Sequence, residues 1–156
     1  MPSLRAGKGP MCGIFGILNF EAGRSVSQAE LARGNESMVH RGPDESGYLL
    51  DANLGLAHRR RSLIDLATGR QPLFNEDRSV GAVANGEIYN YQELRESLIA
   101  KGHRFYTHSD CEVIVHLYED LGEDFVSELR GMFAIALWDR KARKLVLARD
   151  RMGIKP

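Results

Sequence analysis

The segment MFAIALW, residues 132–138, constrains the fold more than any other part of the sequence. Its residues are apolar at both odd and even positions, whereas a strand exposed on one face alternates apolar and polar residues. This pattern predicts a strand that is covered on both faces, inside a layered structure in which helices supply the cover. The segment KLVLA, from Lys144, is predicted to form a hairpin with it around Asp139 to Arg143.

The rest of the chain alternates short strand and helix signals without an internal repeat or a linker. A mixed α/β domain is therefore predicted. Its predicted elements are a strand at Cys12–Leu18, a helix from Ser27 to about Val39, a hairpin of Gly47–Leu50 with Leu54–Arg59, a strand at Ser79–Ala84 before a turn at Asn85-Gly86, a helix capped by Asn90 and ended by Gly102, and a helix from Ser109 or Asp110 to Gly122.

Length and charge balance favour one globular domain that acts on a small molecule. The chain has 156 residues, 43% of them hydrophobic, which is enough for a core. Basic and acidic residues number 21 each, so there is no basic excess for binding nucleic acid. No stretch approaches the roughly 18 apolar residues of a membrane helix, so no membrane insertion is expected.

Cysteine and histidine spacing predicts neither a disulfide framework nor a metal site. Cys12 and Cys111 lie far apart without a CxxC pair, and no two of the five histidines have the spacing of HExxH. A reducing cytoplasm fits these thiols best, and Cys111, on an apolar helix face, is interpreted as a core residue.

The triplet Met11-Cys12-Gly13 carries the strongest chemical signal. If translation starts at Met11 and the methionine is removed, Cys12 becomes the N-terminal residue. Its α-amine, with a pKa of roughly 7.7–8.0, then serves as the general base for its own thiol, and no histidine is required. The alternatives are a small buried cysteine in an apolar strand and a Cys-His protease assembled in space.

Seven segments occur in a fixed order from Met11 to Pro156: MCGIFGIL, HRGPDESG, LAHRRRSLID, NGEIYN, SDCEVIVHLYE, GMFAIALWD and RDRMGIKP. Together they resemble the class II glutamine amidotransferase domain, in the form found in the asparagine synthetase family. The resemblance implies an α+β fold, the αββα sandwich of N-terminal-nucleophile hydrolases, with two antiparallel sheets between helical layers. It also implies that Cys12 attacks the side-chain amide of glutamine and releases ammonia and glutamate through a thioester.

The resemblance also implies the remaining site residues. Asn85 and Gly86 match the oxyanion hole, through a side-chain amide and a backbone N–H, although Asn-Gly is also a common turn dipeptide. Arg60 matches the arginine that binds the substrate carboxylate, with Arg59 and Arg61 as neighbours that leave the register open. The segment Arg61, Ser62, Leu63 and Ile64 is expected to line the pocket mainly through its backbone.

Glu87 and Asp110 match the positions that hold the ammonium group of the substrate. For Asp110, capping of the following helix is a competing role, with Ser109 as an alternative cap. No metal and no cofactor are expected in this chain.

Both ends of the chain depart from the family pattern. Residues 1–11 are expected to be a leader or a mis-assigned start, and residues 12–156 an amidotransferase domain truncated at its C-terminal end. The family pattern continues into a synthetase domain that uses ATP and Mg²⁺ to amidate aspartate, with a homodimer as a possible full-length form. The alternatives are a remnant that binds glutamine without catalysis and an amidotransferase for a different acceptor.

Overall fold

The computed structural model describes residues 12–60 and 70–156, which are built mainly from antiparallel strands. In chain order its elements are β1 (Gly13–Leu18), α1 (Gln28–Glu36), β2 (Glu45–Asp51), β3 (Leu54–Arg60), β4 (Leu73–Phe74), β5 (Val80–Ile88), α2 (Tyr91–Ala100), α3 (Val113–Leu121), α4 (Phe125–Glu128), β6 (Gly131–Asp139) and β7 (Lys144–Arg149). Short 3-10 turns at Asp110–Glu112 and Gly122–Asp124 flank α3.

The strands form two antiparallel sheets with the orders β1-β3-β2 and β4-β5-β6-β7. Apolar side chains from both sheets, such as Leu54, Val83 and Trp138, form one core cluster between them. A second cluster packs Leu31 of α1 against the outer face of the first sheet, and a third packs α2, α3 and α4 against the outer face of the second. The resulting layers follow the predicted αββα order. Within the described ranges, no helix has the length and apolar character needed to cross a bilayer.

Strand β6 accounts for the doubly apolar segment. Phe133, Ile135 and Leu137 pack in the cluster beneath the helices, whereas Ala136 and Trp138 pack between the sheets. Successive side chains of a strand point to opposite faces, so a strand in the middle of four layers needs apolar residues at both parities. The predicted central strand and its hairpin with β7 are confirmed.

Helix α1 begins as predicted but ends earlier. Ser27 accepts a hydrogen bond from the backbone N–H of Glu30, while the Glu30 carboxylate accepts from the backbone N–H of Ser27, which completes a capping box. The helix stops at Glu36 rather than near Val39, because the Ser37 hydroxyl donates to the Gly34 carbonyl and the last turn tightens.

Helices α2 and α3 have the predicted ends, but one cap differs. The Asn90 side chain makes no capping hydrogen bond to α2; its amide instead donates to the Glu128 carbonyl and accepts from the Arg130 N–H. Asn90 therefore joins the start of α2 to the segment that enters β6. Ser109 caps the turn that precedes α3 by accepting from the Cys111 N–H.

The turn predicted at Asn85-Gly86 is wrong. Strand β5 continues through both residues to Ile88, with Asn85 opposite Ala134 and Gly86 opposite Phe133. A Cβ at Gly86 would lie 2.2 Å from the Met132 carbonyl oxygen, so this glycine permits the close approach of β6. Pairing with β6 therefore overrides the local turn preference of the dipeptide.

Candidate active site

Strands β1 and β3 bring three of the polar residues to the inner face of the first sheet. Ile14 lies opposite His58 in the β1–β3 register, and it packs in the cluster between the sheets. Because side chains alternate along a strand, Cys12, His58 and Arg60 share that inward-facing side. Cys12 is half-buried, and its carbonyl oxygen accepts a hydrogen bond from Arg41 Nε at 3.4 Å.

Strand β5 brings Asn85 and Glu87 to the opposing inner face. Val83 packs between the sheets, so alternation places these two residues on the same side of β5. Asn85 is buried and Glu87 is exposed. The Asn85 amide makes no hydrogen bond within residues 12–60 and 70–156, so its donors are not occupied there by a structural role.

Cys111 packs beside the end of β5. Its sulfur lies 4.0 Å from the Gly86 carbonyl oxygen. Burial raises the pKa of the Cys111 thiol well above its usual range, and the neighbouring Asp110, Cys12 and Glu87 raise it further. Cys111 is therefore a neutral core residue, as predicted.

The backbone N–H of Gly86 points to an open edge of the second sheet. On the same edge of β5, the Ala84 N–H donates to Gln71 Oε1 and the Ile88 N–H to Asp110 Oδ2. Phe133, opposite Gly86, directs its own N–H and C=O away from β5, to Asp150. Since β4 ends before this point, the Gly86 N–H lies between two anchored neighbours with no strand beside it among the described residues.

Arg60, rather than Arg59, faces between the sheets. Arg60 Nη1 donates to Glu45 Oε2 at 3.2 Å, whereas Arg59 Nε donates to the Asn35 carbonyl, on the α1 side of the sheet. The Arg60 side chain is 12% exposed and forms an ion pair with Glu45. Arg60 is therefore a largely buried cation between the sheets. The segment predicted to line the pocket, Arg61, Ser62, Leu63 and Ile64, lies outside the described residues.

A cavity of about 260 Å³ lies beside Arg60, lined by Glu45, Ser46, Gly47, His58, Arg60, Arg70 and Gln71. His58 is buried, and its Nε2 atom has no hydrogen-bond partner among the described residues. Burial lowers the pKa of His58 to about 4, although a hydrogen bond to the Ala84 carbonyl opposes that shift. The imidazole is therefore neutral near pH 7 and offers a polar atom to the space between the sheets.

Three residues of this cavity, Glu45, His58 and Gln71, were missed by the sequence analysis. His58 has the same strand parity as Leu56 and Arg60, and this alternation is the signal that predicts an inward position. Gln71 binds both backbone groups of Ala84 through its side-chain amide, a contact that no local pattern encodes.

Asp110 connects the turn before α3 to the end of β5. Its carboxylate accepts the Ile88 N–H at 2.7 Å, and Ser109 serves as the cap of that turn. Asp110 is thus held by its hydrogen bond to β5 and does not act as the helix cap. It lies at the same edge of β5 to which the Gly86 N–H points.

This arrangement is the α+β fold of the N-terminal-nucleophile hydrolases, with a cysteine at the start of the first strand. A family profile described as a glutamine amidotransferase domain matches residues 11–156, and the chain belongs to that family. The chain is 50% identical over 148 residues to asparagine synthetase 2 (glutamine-hydrolysing) of Bacillus subtilis, a match that covers 94% of this chain and 20% of the relative.

Other relatives and solved structures agree with this assignment. A probable asparagine synthetase of Dictyostelium discoideum is 45% identical over 94% of this chain and 26% of its own length. An allosteric regulatory enzyme of purine biosynthesis is 26% identical with a TM-score of 0.55, and covers 69% of this chain and 25% of that one. Glutamine phosphoribosylpyrophosphate amidotransferase of B. subtilis is 20% identical with a TM-score of 0.58, covers 94% and 32%, and shares the fold. The chain spans about a fifth to a quarter of the length of these curated relatives.

Proposed function

We propose that this domain hydrolyses glutamine to glutamate and ammonia, with Cys12 as the nucleophile. The observation that carries the proposal is the convergence of Cys12, Arg60 and Asn85 on the inner faces of the two sheets. The Gly86 N–H at the adjoining sheet edge supports it, because this donor has no partner among residues 12–60 and 70–156 and an oxyanion requires such a donor.

In the proposed reaction, the Cys12 sulfur bonds to the side-chain carbonyl carbon of glutamine and the thiol proton passes to the α-amine of Cys12. The carbonyl oxygen becomes an oxyanion that accepts from the Asn85 amide and the Gly86 N–H. The C–N bond then breaks, the proton leaves with ammonia, and a thioester remains. Water cleaves the thioester to give glutamate and restores the thiol.

The remaining groups bind the amino-acid end of glutamine. Arg60 binds the α-carboxylate by exchanging part of its contact with Glu45, and Glu87 and Asp110 attract the ammonium group. We include Arg61, Ser62, Leu63 and Ile64 in the pocket on the basis of the family pattern. Arg41 positions the nucleophile through the Cys12 carbonyl.

We also propose, from the relatives, that the ammonia serves asparagine synthesis in a synthetase domain that uses ATP and Mg²⁺. An acceptor other than aspartate is the alternative, since the residues that choose it lie in that other domain. A cytoplasmic location and a homodimeric full-length protein complete this proposal.

The start of the chain provides the test. A protein beginning at Cys12 is expected to release glutamate from glutamine, whereas a protein that retains residues 1–11 is not, because the nitrogen of Cys12 is then an amide and cannot act as a base. Both forms are compared at equal concentration, with N-terminal mass and circular dichroism verified. Equal activity from an intact extended form would require a different base.

Matched cysteine variants complete the experiment in the form that begins at residue 12. Cys12→Ala is expected to abolish glutamate release, and Cys111→Ala to leave turnover within a few-fold, because the Cys111 thiol is buried and neutral. Glutamine binding without any turnover in the unmodified protein would favour the non-catalytic alternative.

A further inference from the structure

A second cluster of titratable groups lies on the helix side of the second sheet, apart from the cysteine. It consists of Glu76, from the β4–β5 connection, His103, which follows α2, and His116 and Glu119 of α3. One ligand atom from each of the four residues lies within 4.8 Å of the others. Three separate segments of the chain therefore direct metal-binding atoms at one point.

The distances within the cluster match a tetrahedral coordination sphere. His103 Nδ1 lies 3.2 Å from Glu76 Oε1 and 3.7 Å from Glu119 Oε2, and His116 Nδ1 lies 3.4 Å and 3.6 Å from the same two carboxylates. Ligands about 2.0–2.2 Å from a tetrahedral metal are about 3.3–3.6 Å from one another, whereas adjacent octahedral ligands are about 2.8–3.1 Å apart. These four distances lie around the tetrahedral values, whereas separations within the whole cluster extend to 4.8 Å, so the side chains have to draw together around an ion.

His116 is the buried residue that points to a ligand. Its side chain is 0% exposed, and neither ring nitrogen makes a hydrogen bond to residues 12–60 or 70–156, although a buried imidazole normally satisfies at least one. Its Nδ1 atom is directed at the two glutamates of the cluster. A metal ion bound there would give this nitrogen the partner that the protein does not supply.

The second nitrogen of each histidine faces a further carboxylate. His103 Nε2 lies 3.2 Å from Asp120 Oδ1, and His116 Nε2 lies 3.9 Å from the buried Glu112 Oε1. Carboxylates in this position orient metal-bound imidazoles and set their tautomer. The glutamate ligands are oriented as well: Asn75 donates to Glu119 Oε1 and the Arg104 N–H donates to Glu76 Oε1, each at 2.8 Å.

The charge of the region also favours a divalent cation. Four carboxylates, from Glu76, Glu112, Glu119 and Asp120, surround the two imidazoles, and Lys101 pairs with Asp120 from the exposed side. Nitrogen and carboxylate ligands in a tetrahedral arrangement are characteristic of Zn²⁺.

We propose that Glu76, His103, His116 and Glu119 form a binding site for a zinc-class divalent cation. With four protein ligands the site is closed, so its role is structural rather than catalytic. It joins the β4–β5 connection and the α2–α3 loop to α3, the helix that follows Asp110. The sequence spacing did not indicate this site, because its ligands come from three distant segments.

The test is zinc binding by the full 156-residue chain. After treatment with a chelator and dialysis, the protein is titrated with Zn²⁺ in competition with a chromophoric chelator. One Zn²⁺ per chain is expected, together with a higher Tm at saturation. Replacement by Co²⁺ is expected to give the visible absorption of a four-coordinate ion, without the near-ultraviolet band of a thiolate ligand.

The variants change the ligands that are partly exposed, because replacing His116 endangers folding. His103→Gln and Glu119→Gln are each expected to weaken zinc binding at least tenfold, and Asp120→Asn by about 10–100-fold. His108→Gln, in the same loop as His103 but exposed, is the matched control, and Cys12→Ser tests for thiolate binding. Both controls are expected to retain wild-type affinity.

Absence of stoichiometric zinc in the wild-type chain would overturn the proposal. So would a thiolate band with Co²⁺, loss of binding in Cys12→Ser, or wild-type affinity in both ligand variants. If one of the two ligand variants fails to fold by circular dichroism, the other one decides the outcome. Glutamine hydrolysis is not part of the readout, so failure here is independent of the proposed function.

Discussion

Two buried asparagines, Asn85 in β5 and Asn75 in the β4–β5 connection, are predicted to respond oppositely to truncation. Asn85→Ala is expected to lower glutaminase turnover by about 10²–10³, equivalent to about 2.7–4 kcal/mol in the activation barrier, and to leave glutamine affinity within a few-fold. The amide of Asn85 makes no hydrogen bond within the described ranges, so its loss is expected to cost less than about 1 kcal/mol of unfolding free energy.

Asn75→Ala is the matched control. Asn75 Oδ1 accepts the buried Val80 N–H, and Nδ2 donates to Asp77, Ser79 and Glu119. The loss of one buried pairing costs about 1–3 kcal/mol, and the partly exposed partners add little because water replaces the amide. The expected loss of unfolding free energy is about 1–3 kcal/mol, with turnover unchanged in protein that remains folded.

The assays are glutamate release for turnover and affinity, and urea denaturation for stability, on protein that begins at Cys12. Weaker glutamine binding with unchanged turnover in Asn85→Ala would refute the oxyanion role. Destabilisation of Asn85→Ala as large as that of Asn75→Ala would show that this amide has a structural role.

Three further predictions concern the pocket and the sheet. Arg60→Lys is expected to raise the KM for glutamine without slowing alkylation of the thiol, because a lysine cannot bind a carboxylate in a bidentate manner. A raised KM in Arg61→Lys but not in Arg60→Lys would mean that Arg61 binds the substrate carboxylate. His58 has a pKa of about 4 in the folded protein and about 6.5 when unfolded, so the unfolded chain binds more protons between these values and stability falls as the pH falls from 6.5 to 4. Urea titrations at several pH values are expected to show that the free energy of unfolding falls by about 3 kcal/mol in total over this range. The His58→Gln variant is expected to lack this decrease. Gly86→Ala places a Cβ 2.2 Å from the Met132 carbonyl oxygen and is expected to destabilise the domain by about 1–3 kcal/mol, measured by urea denaturation. Wild-type stability would mean that β6 can move away from β5 without a loss of stability.

The sequence by itself determined the layered fold and the family, because both depend on local patterns. The parity of MFAIALW predicted burial on both faces of β6, and Ser27 followed by Glu30 encodes the start of α1. The order of seven motifs predicted Cys12, Asn85 and Arg60 as site residues before any spatial information was available.

The tertiary structure decided the backbone conformation of these residues and the face of the sheet on which their side chains lie, because both depend on long-range contacts. Asn-Gly is a common turn dipeptide, but pairing with β6 holds Asn85-Gly86 extended, and β4 does not reach the Gly86 N–H within the part of the chain that the structure describes. The position of Arg59 on the α1 side and Arg60 on the inner side likewise depends on strand register.

The cation site is the clearest case of a feature that local sequence cannot reveal. His103 and His116 are separated by a loop and the first turn of α3, and Glu76 lies in the connection between β4 and β5. No periodicity relates them, since their proximity results from packing α2 and α3 onto the second sheet. Apolar burial positions these helices, and it brings polar side chains of α3 close to those of the two neighbouring loops.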